Sequence, residues 1–352
     1  MPAAKDSEWT HTAILDAIKA LPNLQTLYIE LYRCQIEIPF HFFTALRRIF
    51  IYDVGEERKS FENLIKMISQ SPLLESIDLS CSYVDRRRGI SSTKSLHQLF
   101  ESYPNDKDGS IPPLRLKHLS LARCFVCLDD ETVMRHLRYL TSLSLYALME
   151  PISTHNLHSG YSENDDIDND LLEPSSPHSF DSRYSDDANT NTNDIISEDD
   201  WEIQSRWGSS CEQIWRTICN ADLRLEEIAL DTITSAFLEY IGSYSGLKKL
   251  KISTGGFEDW IESDSAAKIF YKAVEMHAGS IEELDIDAYY QGLWCFGHHN
   301  KALFPIFQNL TTLGVKVQSS EFVEGSDSEP GDVSDQDIIV SSFGPPPVRQ
   351  LD

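Results

Sequence analysis

The strongest constraint on this chain is a six-residue pattern of apolar side chains that occurs nine times. The pattern is L-x-x-L-x-L, with Ile or Val allowed in place of Leu. Its last two apolar positions lie two residues apart, which is typical of a strand with one buried face, because side chains alternate along a strand. The nine hexamers begin at Leu24, Leu46, Leu74, Leu116, Leu140, Leu225, Leu247, Ile281 and Leu310.

The spacing of these hexamers indicates a repeat architecture. Successive hexamers begin 22 to 42 residues apart, except for one interval of 85 residues between Leu140 and Leu225. That interval contains segment 151–200, whose composition sets it apart from the rest of the chain. Several of the other intervals lie in or near the range of about 20–29 residues that is typical of leucine-rich repeats.

Between hexamers the apolar period becomes helical. Two segments place apolar residues at i, i+3, i+4 and i+7. They comprise Phe61, Leu64, Ile65 and Ile68, and later Ala266, Ile269, Phe270, Ala273 and Val274. Another helix is predicted to begin with a capping box formed by Ser209 and Glu212. A strand-turn-helix unit cannot bury its apolar face alone, so we predict an α/β leucine-rich-repeat solenoid, or horseshoe, of about nine divergent repeats, with an inner parallel sheet and outer helices.

The charge is concentrated in two segments. Residues 151–200 hold thirteen acids and one base, and residues 321–340 hold seven acids and no base. Polar segments with so much charge cannot bury enough apolar surface to fold. We predict that 151–200 is a disordered acidic insertion and that 321–352 is an acidic, proline-containing disordered tail. The N-terminal repeats would then occupy 1–150, and the C-terminal repeats of the same solenoid 201–320.

The overall composition limits the partners and the compartment. The chain has 56 acidic and 30 basic residues, a formal charge of −26, so we expect neither nucleic acid nor an anionic membrane as a partner. No apolar run approaches the roughly 20 residues of a membrane helix, and the first residues lack the apolar stretch of a signal peptide. Seven cysteines, an odd number, favour a reducing compartment. We expect an intracellular protein, cytoplasmic or nuclear.

Three stretches around the hexamers carry a family resemblance. They are Leu21–Leu27, Ser71–Leu79 and Tyr244–Leu250. In these stretches the chain resembles the leucine-rich-repeat portion of fungal F-box/leucine-rich-repeat-like proteins, of the ribonuclease-inhibitor-like kind. The resemblance covers about residues 12–318 apart from the acidic insertion, and no F-box is visible before Leu21. It implies the substrate-recognition part of an F-box-type ubiquitin ligase; the alternative is a diverged or truncated structural paralogue with no ligase role.

Residues of catalytic or metal-binding type form no complete motif. The Cys124–Cys127 pair is a single CxxC without a second pair at zinc spacing, and we expect Cys124 to fill a turn with Cys127 packed beneath it. The adjacent His298–His299 side chains are expected to diverge. Asp285 and Asp287 lie on a strand predicted to be exposed, where water keeps carboxylates ionised. We therefore predict that the protein is not an enzyme and has no metal and no cofactor.

Protein binding is the function that the predicted geometry favours. Side chains between the buried strand positions point to the concave face of the solenoid. Tyr28, Phe50 and Tyr52 would form an aromatic cluster at its N-terminal end, and aromatic residues dominate interface hot spots. Cross-strand packing alone would also explain these rings.

At the C-terminal end of the same face, acidic and basic residues alternate from strand to strand. They serve either charge pairing between neighbouring strands or a partner. The candidate partner-binding residues of the whole face are Tyr28, Phe50, Tyr52, Asp78, Tyr146, Asp231, Lys251, Asp285 and Asp287. Segment Tyr289–Phe296 either closes the edge of the core or meets a ligand. We expect the end of the array after Leu310–Val315 to lack a cap over its last apolar row.

Overall fold

The structure is a computed structural model of the chain. It describes residues 23–30, 45–54, 58–81, 94–104, 112–149, 209–254, 259–289 and 292–317, with positions 13, 16, 17, 20, 21, 43 and 257. The predicted insertion at 151–200 and the predicted tail at 321–352 lie outside the described residues.

The described strands form one open sheet in which every pairing is parallel and the strand order follows the chain. They are β1 (Thr26–Glu30), β2 (Arg48–Val54), β3 (Ser76–Cys81), β4 (His118–Ala122), β5 (Ser142–Tyr146), β6 (Glu227–Leu230), β7 (Lys249–Ser253), β8 (Glu283–Asp287) and β9 (Thr312–Val315). Each strand contains the last two apolar positions of one hexamer. The hexamers stay in register, so Leu119 of β4 lies opposite Leu143 of β5 and Leu284 of β8 lies opposite Leu313 of β9.

Helices connect the strands where the apolar period is helical. The described ones are α1 (Arg58–Ser69), α2 (Leu96–Glu101), α3 (Glu131–Leu137), α4 (Cys211–Asn220), α5 (Ser235–Ile241) and α6 (Trp260–Glu275), with a 3₁₀ turn at Phe304–Ile306. Neighbouring helices contact one another; for example, α4 contacts α5, and α5 contacts α6. The nine parallel strands of the described residues, with their layer of helices, confirm the predicted α/β solenoid.

The core lies between the sheet and the helices. The first apolar residue of most hexamers is buried, as Leu116, Leu225 and Leu247 show. Trp215 of α4 and Phe237 of α5 pack with ring centroids 4.9 Å apart and fill the space above these rows. Because close-packed side chains from adjacent repeats share this layer, each repeat depends on its neighbours for burial.

Two details of the helix prediction are wrong. Helix α4 is capped by Ser210 and not by Ser209: Gln213 N–H donates to Ser210 Oγ at 3.3 Å, and Ser210 N–H donates to Gln213 Oε1 at 3.0 Å. Ser209 is buried and its N–H donates to the Val126 carbonyl at 2.8 Å. Ile269 was assigned to the buried face of α6, yet its side chain is 54% exposed.

Glu212 links two repeats. Its Oε2 accepts from Ala236 N–H at 2.9 Å and its Oε1 from Ser235 Oγ at 2.9 Å, so a side chain of α4 caps the start of α5. Partial burial by itself would raise the pKa of Glu212, but these bonds and that from Arg216 lower it to about 2. The carboxylate thus satisfies the free backbone donors at the start of the next helix.

Buried polar side chains also hold the turns that precede the strands. Tyr240 OH donates to the Leu223 carbonyl at 2.8 Å and accepts from Leu225 N–H at 3.1 Å. His136 Nδ1 accepts from Leu114 N–H at 2.9 Å. His277 Nδ1 likewise accepts a hydrogen bond from Leu247 N–H at 3.2 Å. Each of these bonds joins the helical segment that follows a strand to the turn that precedes the same strand, which satisfies backbone groups that burial removes from water.

Met149 and Ser209, the described residues that flank 150–208, are bonded to neighbouring points of the solenoid. Met149 N–H donates to the Cys124 carbonyl at 3.2 Å, and Ser209 N–H donates to the Val126 carbonyl at 2.8 Å. Both bonds end on the loop that follows β4. The two ends of this stretch are therefore held two residues apart on one loop.

The last apolar row is less covered than the rows before it. Leu284 of β8 is 0% exposed, whereas Leu313 of β9 is 41% exposed. Val315 is only partly buried. Strand β9 thus carries the apolar pattern of a buried strand while lacking a further repeat over it among the described residues. The expected lack of a cap concerns residues after 317, which lie outside the described residues, so it stays a prediction.

Candidate functional site on the concave face

The aromatic cluster lies on the first two strands. The Tyr28 ring of β1 has its centroid 6.3 Å from that of Phe50 and 5.3 Å from that of Tyr52, both on β2. Tyr28 is 66% exposed, whereas Phe50 and Tyr52 are partly buried. The three rings therefore form one surface with Tyr28 at its outer side. Their proximity follows from register, since Tyr28 lies opposite Phe50 in the parallel pair.

A carboxylate adjoins these rings. Asp78 of β3 lies opposite Phe50, and Tyr52 OH donates to its Oδ2 at 3.0 Å. Burial raises the pKa of Asp78, while hydrogen bonds from Tyr52 and Ser120 partly oppose that rise. Burial and the charge of Asp78 raise the pKa of Tyr52 to about 12. At neutral pH Tyr52 therefore remains a phenol that donates to Asp78, which fixes the orientation of the Tyr52 ring.

Short side chains occupy the middle of the face. Ser120 of β4, Ser144 of β5 and Ala229 of β6 continue the row that begins with Tyr28, Phe50 and Asp78. Tyr146, at the end of β5, is 38% exposed. Side chains therefore project little from the sheet between the aromatic cluster and the charged residues of the last strands.

The charged end consists of pairs across neighbouring strands. Lys249 Nζ lies 2.7 Å from Glu227 Oε1, Lys251 Nζ lies 2.8 Å from Glu283 Oε1, and Lys316 Nζ lies 3.1 Å from Asp287 Oδ1. Charge pairing between strands, one of the two explanations offered for the alternation, accounts for all three lysines. Pairs at this level of exposure contribute little to stability, about 0–1 kcal/mol.

Two of the predicted carboxylates, Asp231 and Asp285, contact the backbone of a neighbouring repeat. Asp231 Oδ2 accepts from Ala147 N–H at 2.6 Å, where Ala147 has a left-handed φ of 46°. Asp231 thereby holds the turn after β5. Asp285 lies opposite Gly314, and a Cβ at position 314 would collide with Asp285 Oδ1. Glycine there leaves room for the carboxylate beside the edge strand.

Trp294 and Cys295 of segment 289–296 are part of the core, in line with one of the two interpretations of that segment. Trp294 is 2% exposed, its ring centroid lies 5.1 Å from that of Phe270, and its Nε1 donates to the Ser263 carbonyl at 3.1 Å. Tyr289 alone of the described aromatics in this segment is mostly exposed, at 69%. Tyr290 and Gln291 lie outside the described residues.

The cysteine and histidine candidates are structural in their contacts. Cys124 lies in the turn after β4, as expected; it is buried and hydrogen-bonds the buried Cys81 at the end of β3. Cys127 is only half-buried rather than packed beneath Cys124. His299 Nε2 bonds the Leu293 carbonyl at 2.8 Å, while His298 Nδ1 lies 3.0 Å from Lys301 Nζ. In the part of the chain that is described, no three His, Cys, Asp or Glu side chains are placed to hold a metal ion.

A depression that the sequence did not predict lies on the helix side of the C-terminal repeats. It has a volume of about 490 Å³, and α6 and the segment after β8 form its walls. Lys268, Tyr271, Leu293 and Leu303 are among its lining residues. No motif marks it, because it arises from helix packing and not from a sequence pattern.

Comparisons with known proteins add no assignment. The sequence matches no protein-family model and no curated protein. None of the described helices is long and apolar enough to cross a membrane. The case for function therefore depends on the geometry of the concave face.

Proposed function

We propose that this protein is a non-catalytic protein-binding scaffold and that the concave face of its sheet is the binding surface. One observation carries the proposal: Tyr28 is 66% exposed on that face and stands against two further rings. A strand residue that serves only packing would be covered by its neighbours. An exposed aromatic cluster beside a carboxylate has the composition of an interface hot spot.

The finer proposal concerns a ubiquitin ligase. The resemblance to fungal F-box/leucine-rich-repeat-like proteins supports a role as the substrate-recognition part of an F-box-type ligase. The alternative is a diverged or truncated structural paralogue with no ligase role. The two proposals differ in the proteins that should accompany the chain.

Affinity capture with a matched variant pair tests both levels. The full chain is immobilised and incubated with a fungal lysate, beside Tyr28→Ala/Tyr52→Ala. The control is Ile269→Ala/Met276→Ala, which removes two apolar side chains, 54% and 52% exposed, from the helix side. We expect proteins that are retained by the wild type and the control and lost from the concave-face variant.

The outcomes separate the alternatives. Ligase subunits among the proteins retained by both wild type and control would support the ligase role, and their absence would favour the paralogue. Proteins lost from the helix-side control but not from the concave-face variant would place binding on the helices and overturn the scaffold proposal as stated. Circular dichroism of each variant confirms that it is folded.

A further inference from the structure

The aromatic cluster and its carboxylate have a chemistry more specific than general protein binding. Tyr28, Phe50 and Tyr52 offer ring faces, and Asp78 lies in the next strand, so that rings and carboxylate fall within about 10 Å across the sheet. On the other side, Glu30 lies opposite Tyr52 in β1 and is exposed. Two carboxylates therefore flank one group of rings.

The described lysines of the last strands are paired away from this group, whereas Arg48 lies on the same strand as Phe50. The three lysines of the last strands pair with Glu227, Glu283 and Asp287. Arg48, at the start of β2, donates to Thr26 Oγ1 at 3.2 Å. The groups that bond Asp78 are the hydroxyls of Tyr52 and Ser120, both neutral donors. Its negative charge thus has hydrogen bonds but no counter-charge among these groups.

Ring faces and a carboxylate together favour a cation. The face of an aromatic ring attracts cations, and a carboxylate accepts two parallel hydrogen bonds from a guanidinium. A planar guanidinium can stack on a tyrosine and bond a carboxylate at the same time, which the compact ammonium of lysine cannot do as well. The formal charge of −26 also attracts a basic partner over a longer range.

We propose that the site formed by Tyr28, Phe50, Tyr52 and Asp78 binds an arginine side chain from a basic segment of the partner protein. The inference rests on the proposed scaffold function and names its partner chemistry. The guanidinium stacks on the exposed Tyr28 ring and donates to Asp78. The short row of Ser120, Ser144 and Ala229 leaves space for the partner backbone to continue across the sheet.

A peptide titration tests this directly. The probe is a short fluorescein-labelled Gly-Ser peptide that carries several arginines, measured by fluorescence anisotropy against the full chain at about 0.15 M salt, where long-range attraction is screened. Peptides with lysine or with uncharged citrulline in place of arginine are the matched probes. We expect the arginine peptide to bind at least about threefold more tightly than the lysine peptide and much more tightly than the citrulline peptide.

The variants locate the binding. Tyr28→Ala and Asp78→Asn should each weaken the arginine peptide by about fivefold or more. Asp287→Asn, which removes one negative charge at the other end of the face, should change affinity by less than about twofold. Asn at position 78 still accepts from Tyr52, and Tyr28 is exposed, so both variants should keep the wild-type melting temperature.

Three results would overturn the inference: equal affinity for the arginine and lysine peptides, an equal loss in Asp287→Asn, or no binding of the arginine peptide. The first two would indicate attraction to acidic charge in general. The third would remove the arginine site while leaving the scaffold proposal to its capture experiment, where loss of partners from the concave-face variant does not require a basic probe.

Discussion

The two ends of the concave face differ in whether their polar side chains pair with opposite charges. At the C-terminal end each lysine of β7 and Lys316 pairs with a carboxylate of a neighbouring strand. At the N-terminal end Tyr28 is mostly exposed, and the hydrogen bonds that Asp78 accepts from Tyr52 and Ser120 come from neutral hydroxyls. The same sheet thus has one end at which charges pair across strands and one at which an aromatic ring stays exposed near a carboxylate. Charge alternation in a sequence therefore marks sheet cohesion more readily than it marks a binding site.

The largest expected effect concerns the core beneath the charged end. Leu250 of β7 is 0% exposed, and Leu250→Ala should lower the free energy of unfolding by about 2–5 kcal/mol, because it leaves a cavity in a close-packed row. Leu313→Ala is the matched control on the edge strand, where the same change should cost about 1 kcal/mol or less. Chemical denaturation measures both. Equal costs would show that the last row is covered in solution.

Lowering the pH should destabilise the fold through two buried histidines, His136 in the N-terminal repeats and His277 in the C-terminal repeats. Burial, together with the Arg135 guanidinium, lowers the pKa of His136 to about 4, and burial lowers the pKa of His277. The unfolded histidine has a pKa of about 6.5, so between that value and 4 the unfolded state binds more protons. Stability should be complete above about pH 6.5 and fall toward pH 4, by on the order of 2–3 kcal/mol for His136.

A variant isolates this contribution from that of the carboxylates. His136→Gln keeps an acceptor for Leu114 N–H and cannot be protonated in this range. Its unfolding free energy should depend less on pH between 6.5 and 4 than that of the wild type, measured by urea denaturation at each pH. Identical slopes for the two proteins would mean that His136 can be protonated without loss of the native turn.

The bond between α4 and α5 should have a smaller effect. Glu212→Gln removes the charge that caps Ala236 N–H and should cost about 0.5–2 kcal/mol, the usual range for losing a helix cap. Glu101→Gln, at the exposed end of α2, is the control and should be nearly neutral. Thermal unfolding distinguishes them, and a neutral Glu212→Gln would reduce this contact to a surface hydrogen bond.

The smallest effect should come from the charged end itself. Lys251→Ala breaks the pair with Glu283 and should change stability by less than about 1 kcal/mol. It should also weaken a captured partner less than Tyr28→Ala/Tyr52→Ala does, for which we expect about 2 kcal/mol or more. A large loss of affinity in Lys251→Ala, measured by calorimetry with the captured partner, would contradict the distinction between the two ends.

The strands were predictable from the sequence because their pattern repeats. Nine hexamers of fixed apolar spacing define nine strands, and stacking of like units dictates parallel order. The capping of α4 was not decided by its motif, because Ser209 with Glu212 and Ser210 with Gln213 both match the same pattern. Only the position of Ser209 against Val126 selects the second.

The candidate site was predictable only in part. Alternation along β1 and β2 was enough to bring Tyr28, Phe50 and Tyr52 together. The bond from Tyr52 to Asp78 joins residues 26 apart in different repeats, and no local pattern records it. The same holds for Glu212. Contacts between repeats depend on how the units stack, which a hexamer pattern does not specify.

The loop after β4 marks a position at which another domain could be inserted into the chain. Met149 and Ser209 are bonded to carbonyls two residues apart on that loop, a span of about 7 Å for an extended chain. A foreign domain whose own termini are close together could therefore be spliced in between them without pulling on the sheet. Such a fusion would carry its cargo at a fixed place beside the middle strands. A reporter placed there would not lie on β1 or β7, the strands that carry Tyr28 and Lys251.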